Sequence, residues 1–312
     1  MIMSEIILHQ YPASPVAEKV RVGFGIKNLS WRGVEIPRLP PKPDLIPLTG
    51  GYRRTPVMQI GADIYCDSQC ILREIQKRVP EPAYFSDATE GMEWGLSRWT
   101  DEKFFKDSIG LVLGDAGSDL PPDFAEDRGR LYFGPKWQSA IEQAQKDLGH
   151  LAAQMRGQLT WLNQHLQHNE FVSGSAPGLS DPFAYYLVWF IRGRVSNGPT
   201  LLSEFSNIEK WEQKIQSFGH GNMTPLDPKE ALSIANDHQH TTPEQHDPYD
   251  TQGIEPGMKI SVRPDIDGGE VFVTGAAHYI SSDTIGLLRE SPEIGTVCVN
   301  FPRVGYRVDI VS

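Results

Sequence analysis

The chain has 312 residues, 39% apolar and 22% charged, enough for two or three ordinary domains; its formal net charge of −11 opposes binding to nucleic acid or to an anionic membrane. No run of about 18 uncharged apolar residues exists, so no bilayer span is expected, and Met1 to Glu5 lack the basic-then-apolar order of a signal peptide. Three cysteines are too few for a disulfide framework and suit a reducing cytoplasm.

Residues 6–10 predict a strand. Residues 15–27 predict a helix, with Val16, Val20 and Phe24 at spacing four, Ser14 as its cap and Pro15 in its first turn. A second strand is predicted at 34–36. Five prolines and a Gly-Gly pair mark 37–54 as a long loop. Residues 57–60 and 63–66 predict a hairpin through Gly61-Ala62, and 68–78 a closing helix. This β-α-β, then β-β-α order is a thioredoxin-like α/β arrangement.

From about 88 to 220 the pattern is helical. Helices are expected at 94–113 and 181–194, the latter apolar enough for the centre of a bundle. Trp137, Ile141, Ala144, Leu148, Leu151, Met155, Leu159, Leu162 and Leu166 recur at steps of three and four, as on one helix of roughly eight turns. Trp94, Trp99 and Trp161 read as core or cleft lining. Residues 114–122 read as a polar, Pro-containing break. Residues 223–254 give little to bury and read as a linker. The last stretch alternates by twos at 259–263, 270–273, 284–287, 296–299 and 306–310, with turns such as Asp267-Gly268-Gly269 between. That spacing predicts a small β-barrel, SH3-like, with Ile260, Val262, Val271, Val273, Ile285, Leu287, Val297 and Val299 inside.

Three pieces at the start of the chain carry a resemblance: Ser14-Pro15 opening a helix, Thr55-Pro56-Val57 opening a strand, and Asp67-Ser68 opening the next helix. In this order they resemble the glutathione-binding half of the glutathione transferase family. The resemblance extends through the helices to about residue 220; the terminal strands have no counterpart in the ordinary pattern. It implies domains at 1–85 (thioredoxin-like) and 86–222 (all-helical); composition and alternation add a linker at 223–254 and a small β-barrel at 255–312. It also implies a homodimer with glutathione as co-substrate and a small hydrophobic electrophile as second substrate. Charge, cysteine usage and the lack of an apolar span add the expectation of a cytoplasmic protein with no nucleic-acid or membrane partner, and no metal is expected.

The chemistry can be assigned residue by residue. A cis bond before Pro56 would turn the backbone around Thr55 outward, so that Val57 pairs with the cysteinyl unit as an added strand; a trans proline opening an edge strand is the alternative. Asp67 and Ser68 would offer a helix N-terminus to the γ-glutamyl carboxylate, or they are a plain cap. A free thiol has a pKa of about 8.5, so a donor must favour the thiolate. Ser14 is the candidate catalytic residue, with the family register leaving Ala13 one position away and Tyr11 as a substitute; the alternative for Ser14 is simple capping. Arg53, Arg54 and Arg38 are candidates for the glycyl carboxylate, or solvated charges.

No cysteine opens the first helix, which argues against cysteine-type reductase chemistry. Cys66 and Cys70 read as small buried hydrophobes. Asp181 matches the acidic half of the family's Ser/Thr-x-x-Asp capping box, but Gly178 stands where the hydroxyl would be. His238, His240 and His246 read as a fortuitous group rather than a metal site. Gly23-x-Gly25 falls inside a helix and is no dinucleotide motif. Three readings follow: a glutathione transferase, a non-catalytic binding protein on the same fold, and an interaction protein that recruits a partner through its terminal barrel.

Overall fold

The computed structural model describes residues 5–86, 88–266 and 268–311. Met1–Ser4 and the expected turn residue Asp267 lie outside the described residues. The first elements are β1 (Ile7–Gln10), α1 (Pro15–Ile26), β2 (Ser30–Glu35), α2 (Ile46–Thr49), β3 (Val57–Ile60), β4 (Asp63–Cys66) and α3 (Ser68–Arg78). Strand β1 runs parallel to β2 and antiparallel to β3, and β3 is antiparallel to β4, which is the thioredoxin-like arrangement. Ser14 Oγ accepts the Ala17 N–H at 3.2 Å and so caps α1. Asn28, at φ 48°, turns the chain out of that helix in the left-handed region asparagine tolerates. A Cβ on Gly25 would lie 2.0 Å from the Gly219 carbonyl oxygen, so this glycine serves a close backbone approach. The loop expected at 37–54 contains the single turn α2, closed by Gly50 at φ 72°.

The helical elements are α4 (Glu90–Trp99), a π turn (Thr100–Phe104), α5 (Phe105–Ala116), α6 (Pro122–Phe133), α7 (Trp137–Lys146), α8 (Leu148–His165), α9 (Ser180–Arg194), α10 (Gly198–Leu202) and α11 (Ser206–Phe218). Two expectations are corrected here. The helix expected at 94–113 is interrupted by the π turn, where the Tyr186 hydroxyl donates to the Thr100 carbonyl and to Asp101 Oδ1, both at 3.0 Å. Asp101 also pairs with the buried Lys19. The single long stripe is two helices, because Asp147 leaves helical dihedrals and accepts from Gln143 Nε2 at 2.8 Å. Trp161 is 61% exposed and so not core, although its ring centroid lies 6.1 Å from that of Trp99.

The start of α9 explains the missing hydroxyl of its capping box. A Cβ on Gly178 would sit 2.4 Å from the Tyr84 carbonyl oxygen, so no side chain fits there. Glu93 of α4 takes over: its Oε2 accepts the Ser180 N–H at 3.0 Å and the Ser180 and Ser173 hydroxyls. Asp181 accepts from the backbone of Val172 (2.8 Å), Ser173 (3.4 Å) and Gly178 (2.9 Å) and from Trp211 Nε1 (2.7 Å). Burial raises its pKa even against these hydrogen bonds.

The stretch read as a linker has structure of its own. It holds β5 (Asn222–Pro225), parallel to β2, and α12 (Pro228–Asp237), capped by Asp227 accepting the Lys229 N–H at 2.8 Å. Leu226, Ala231, Ala235 and Ile254 are buried. Thr241 and Thr242 give four donors, two N–H and two hydroxyl, to the buried Asp63 carboxylate at 2.6–3.1 Å. The segment is therefore tied down by small apolar residues and one carboxylate, which its polar composition concealed.

Strands β6 (Lys259–Pro264), β7 (Val273–Ile280), β8 (Thr284–Ser291), β9 (Gly295–Pro302) and β10 (Tyr306–Ile310) follow. They form an antiparallel meander in which β10 returns beside β6. Strand β9 then pairs in parallel with β4, giving one ten-stranded sheet among the described residues, in the order β10-β6-β7-β8-β9-β4-β3-β1-β2-β5. The strand expected at 270–273 begins only at Val273, and Val271 is 62% exposed rather than interior. The other seven expected interior residues are buried. The chain divides into two compact units: one holds the residues up to Ala17, Ser30–Lys77 and those from Asn222 on; the other holds Glu18–Leu29 and Arg78–Gly221.

Candidate functional site

Register places the three pieces of the resemblance at one end of the sheet. His9 faces Val57 across β1 and β3, and Val57 faces Cys66 across β3 and β4. The end of β1 with Tyr11 and Ser14 beyond it, the start of β3 with Thr55-Pro56, and the end of β4 with Asp67-Ser68 therefore lie at the same edge. The Thr55–Pro56 peptide bond is cis. Asp67 has φ 75°, a left-handed conformation at the junction of β4 and α3.

Ser14, Ser68 and Val57 are buried, while Arg53, Arg54, Thr55 and Asp67 are partly exposed. Asp67 Oδ1 accepts the Gln69 N–H at 2.9 Å and so caps α3; the Ser68 hydroxyl lies 3.5 Å from the same oxygen. Ser14 N donates to the Tyr11 carbonyl at 3.1 Å. Arg38 is exposed.

Four residues that the sequence did not single out join this set. Lys42 Nζ, buried, donates to Thr55 Oγ1 at 2.9 Å and lies 5.8 Å above the Tyr11 ring. Tyr306 of β10 donates to Asp67 Oδ2 at 3.1 Å, and its hydroxyl lies 3.1 Å from that of Tyr52. Glu270 grips Arg54: its two oxygens accept from Nε at 2.9 Å each, and Oε2 also accepts from Nη2. Gln69 Nε2 reaches the Val304 carbonyl at 3.3 Å. The one signal in the sequence for Lys42 is its place among Pro40, Pro41 and Pro43; Tyr306 and Glu270 carry no local signal of a role at an edge so distant in the chain.

The electrostatics separate binding from thiol chemistry. Burial, then the Asp67 charge, pushes the hydroxyls of Tyr52 and Tyr306 well above the usual tyrosine range, so both remain neutral donors. The same two causes push the Cys66 and Cys70 thiols well up, and burial pushes Cys298 up to about 12. All three are neutral, buried thiols and poor nucleophiles. His238, His240 and His246 do not form a metal-type cluster: no group of three or more such ligands occurs among the described residues.

A family model described as the glutathione S-transferase N-terminal domain matches residues 8–83. Among solved structures, a GST-like protein from Pseudomonas syringae is 30% identical, with a TM-score of 0.78; the match covers 99% of this chain and 100% of that one. A glutathione transferase family member from Pseudomonas fluorescens, solved with two glutathione bound, is 12% identical with a TM-score of 0.53, covering 69% of this chain and 89% of that one. FzlA from C. crescentus is 21% identical with a TM-score of 0.50, covering 68% and 88%. The last two show the fold alone, whereas the P. syringae protein spans the terminal strands as well. No curated protein matches the sequence. No described helix is long and apolar enough to cross a membrane. With near-complete coverage at 30% identity added to the domain match, this chain belongs to the glutathione S-transferase family.

Proposed function

We propose that the protein binds glutathione at the Tyr11–Ser14, Thr55–Val57 and Asp67–Ser68 edge and conjugates its thiolate to a small hydrophobic electrophile. The observation that carries this reading is the register that collects these segments at one end of the sheet. In it, the backbone around Thr55, outside the ladder that engages Val57 with both His9 and Cys66, pairs with the cysteinyl unit, Ser68 and the N-terminus of α3 take the γ-glutamyl carboxylate, and Asp67 takes the ammonium. Ser14 is the thiol's donor: its oxygen accepts the Ala17 N–H, which leaves the hydroxyl proton to give. A thiolate held this way needs no cysteine of the protein. Basic residues beside Thr55 are Arg53 and Arg54 in the chain and Lys42 through its bond to the Thr55 hydroxyl.

On the same reading the protein is a cytoplasmic homodimer, and the order β10-β6-β7-β8-β9 is the strand order of an SH3-like barrel opened onto β4. The domain limits near residues 85 and 222 are retained as functional limits. A second reading, a binding or interaction protein without turnover, draws on the hold that the terminal segment has on Asp67 through Tyr306 and on Arg54 through Glu270. Retention on immobilised glutathione followed by a generic aryl-halide assay separates the two. Retention with turnover supports the transferase. Retention alone supports the binding protein, and no retention overturns both glutathione readings.

A further inference from the structure

Arg54 stands immediately before Thr55-Pro56 and, on the glutathione reading, is a candidate cation for the C-terminal carboxylate of the bound tripeptide. Its guanidinium already has a carboxylate. Glu270, its side chain 4% exposed, bonds to Nε through both oxygens and to Nη2 as well. A buried carboxylate is costly unless paired, and the fork of an arginine is its strongest partner. Burial alone would lower the Arg54 pKa; the bonds and charge of Glu270 outweigh it and raise it. Lys42, a buried cation of the same loop, turns its ammonium to the Thr55 hydroxyl.

The carboxylate at the start of α3 differs. Asp67 receives the Gln69 N–H and the Tyr306 hydroxyl. An ionised carboxylate has about four acceptor positions, so Asp67 retains capacity for an ammonium.

We infer that Glu270 is a specificity residue: it supplies to Arg54 the carboxylate that the ligand's C-terminal end would otherwise supply, so the site favours γ-glutamyl-cysteinyl thiols whose C-terminal carboxylate is masked as an ester or amide. The inference rests on the glutathione reading and deepens it. A ligand with a free glycyl carboxylate must displace Glu270 or sit beside it, like charge against like charge. A masked ligand does neither and keeps every contact at the Asp67–Ser68 end.

Calorimetric titration of the full chain tests this, with reduced glutathione and its glycyl monoethyl ester as the two probes. The wild-type protein should bind the ester at least as tightly as glutathione. Glu270→Gln should tighten glutathione about tenfold relative to the ester, because Arg54 then presents an unpaired fork. Glu270→Asp, which keeps the charge, should hold the wild-type ratio; melting curves of both variants confirm that the fold is retained. The ratio is internal to each variant, so a uniform loss of affinity from altered packing does not move it. A tenfold wild-type preference for free glutathione, or a ratio that Glu270→Gln leaves unchanged, overturns this inference while the glutathione reading stands. Failure of both probes to bind any variant overturns the two together.

Discussion

Two regions of the molecule place a carboxylate against the start of a helix, and they treat it differently. At α9, Asp181 receives four donors, three from the backbone and one from Trp211. At α3, Asp67 receives the Gln69 N–H and the Tyr306 hydroxyl, with Ser68 at 3.5 Å. Asp63, held by four donors from Thr241 and Thr242, sides with Asp181. A saturated carboxylate has nothing left for a ligand and fastens chain segments together. An under-used one, partly exposed at a sheet edge, is equipped to read a ligand. The number of donors thus separates carboxylates saturated by the scaffold from one with acceptor positions to spare, where residue type alone does not.

The largest expected effect tests the scaffold half of that contrast. Asp181→Ala strands buried N–H groups and should cost about 3–5 kcal/mol of stability. Asp67→Ala should cost only about 1 kcal/mol, the loss of a cap, while weakening glutathione binding. Urea denaturation of both variants measures the difference; equal losses would break the comparison.

His9 is a buried group with too few partners. Gln59 spends its amide N–H groups on the Gly61 and Ala231 carbonyls, so its oxygen accepts from His9 Nε2 at 2.9 Å. Nδ1 is then the bare lone pair, without a hydrogen-bond partner among the described residues. Burial, opposed by the Gln59 bond, lowers the His9 pKa from 6.5 to about 4. The folded value lies below the unfolded one, so the unfolded chain takes up the proton first. This contribution is intact above about pH 6.5 and is lost as the pH falls toward 4, reaching roughly 3 kcal/mol. Urea midpoints at pH 7 and pH 4.5 should diverge in the wild type and converge in His9→Leu; equal divergence in both would remove His9 from the account.

Smaller effects belong to the site itself. Ser68→Ala should weaken glutathione binding by about 1–3 kcal/mol, the range of one charge-assisted hydrogen bond, as read by calorimetry. An unchanged dissociation constant would move the γ-glutamyl end elsewhere. Ser14→Ala should barely alter binding but return the bound thiol's pKa toward ~8.5, which an ultraviolet thiolate titration follows. The rate at neutral pH should fall with it. If the pKa holds, Ser14 is a cap and the donor is Tyr11 or the Ala13 backbone N–H, since the Ser14 N–H is spent on the Tyr11 carbonyl.

Much of the first sheet was legible because its boundaries are local chemistry. Ser14-Pro15 caps a helix, Gly61-Ala62 turns a hairpin, and Asp67-Ser68 opens a helix, each within a few residues. Strands β3 and β4 and helix α3 took their expected bounds for that reason. The π turn at Thr100–Phe104 was not legible, because the apolar periodicity continues through it while a tyrosine far along the chain bonds to the displaced carbonyl. Helix α12 was hidden by polar neighbours, although Asp227-Pro228 and the Ala231, Ala235 spacing were there to be read. Within the candidate site, Ser14, Thr55-Pro56 and Asp67-Ser68 were legible as motifs. Tyr306 and Glu270 were not: their roles arise from pairing across more than half of the chain, and sequence neighbours record nothing of it.

The parallel pairing of residues 63–65 with 298–300 sets an order of events during synthesis. Strand β4 leaves the ribosome long before β9, and until β9 arrives the first sheet carries an open edge, a template for pairing with another chain. Closing that edge requires a contact of large sequence separation, which is slow to form. The nascent protein therefore passes through an interval in which its oldest sheet is exposed to self-association. A chain stopped near residue 250 makes that interval permanent, and its light scattering should rise with concentration under conditions where the full-length protein stays dispersed.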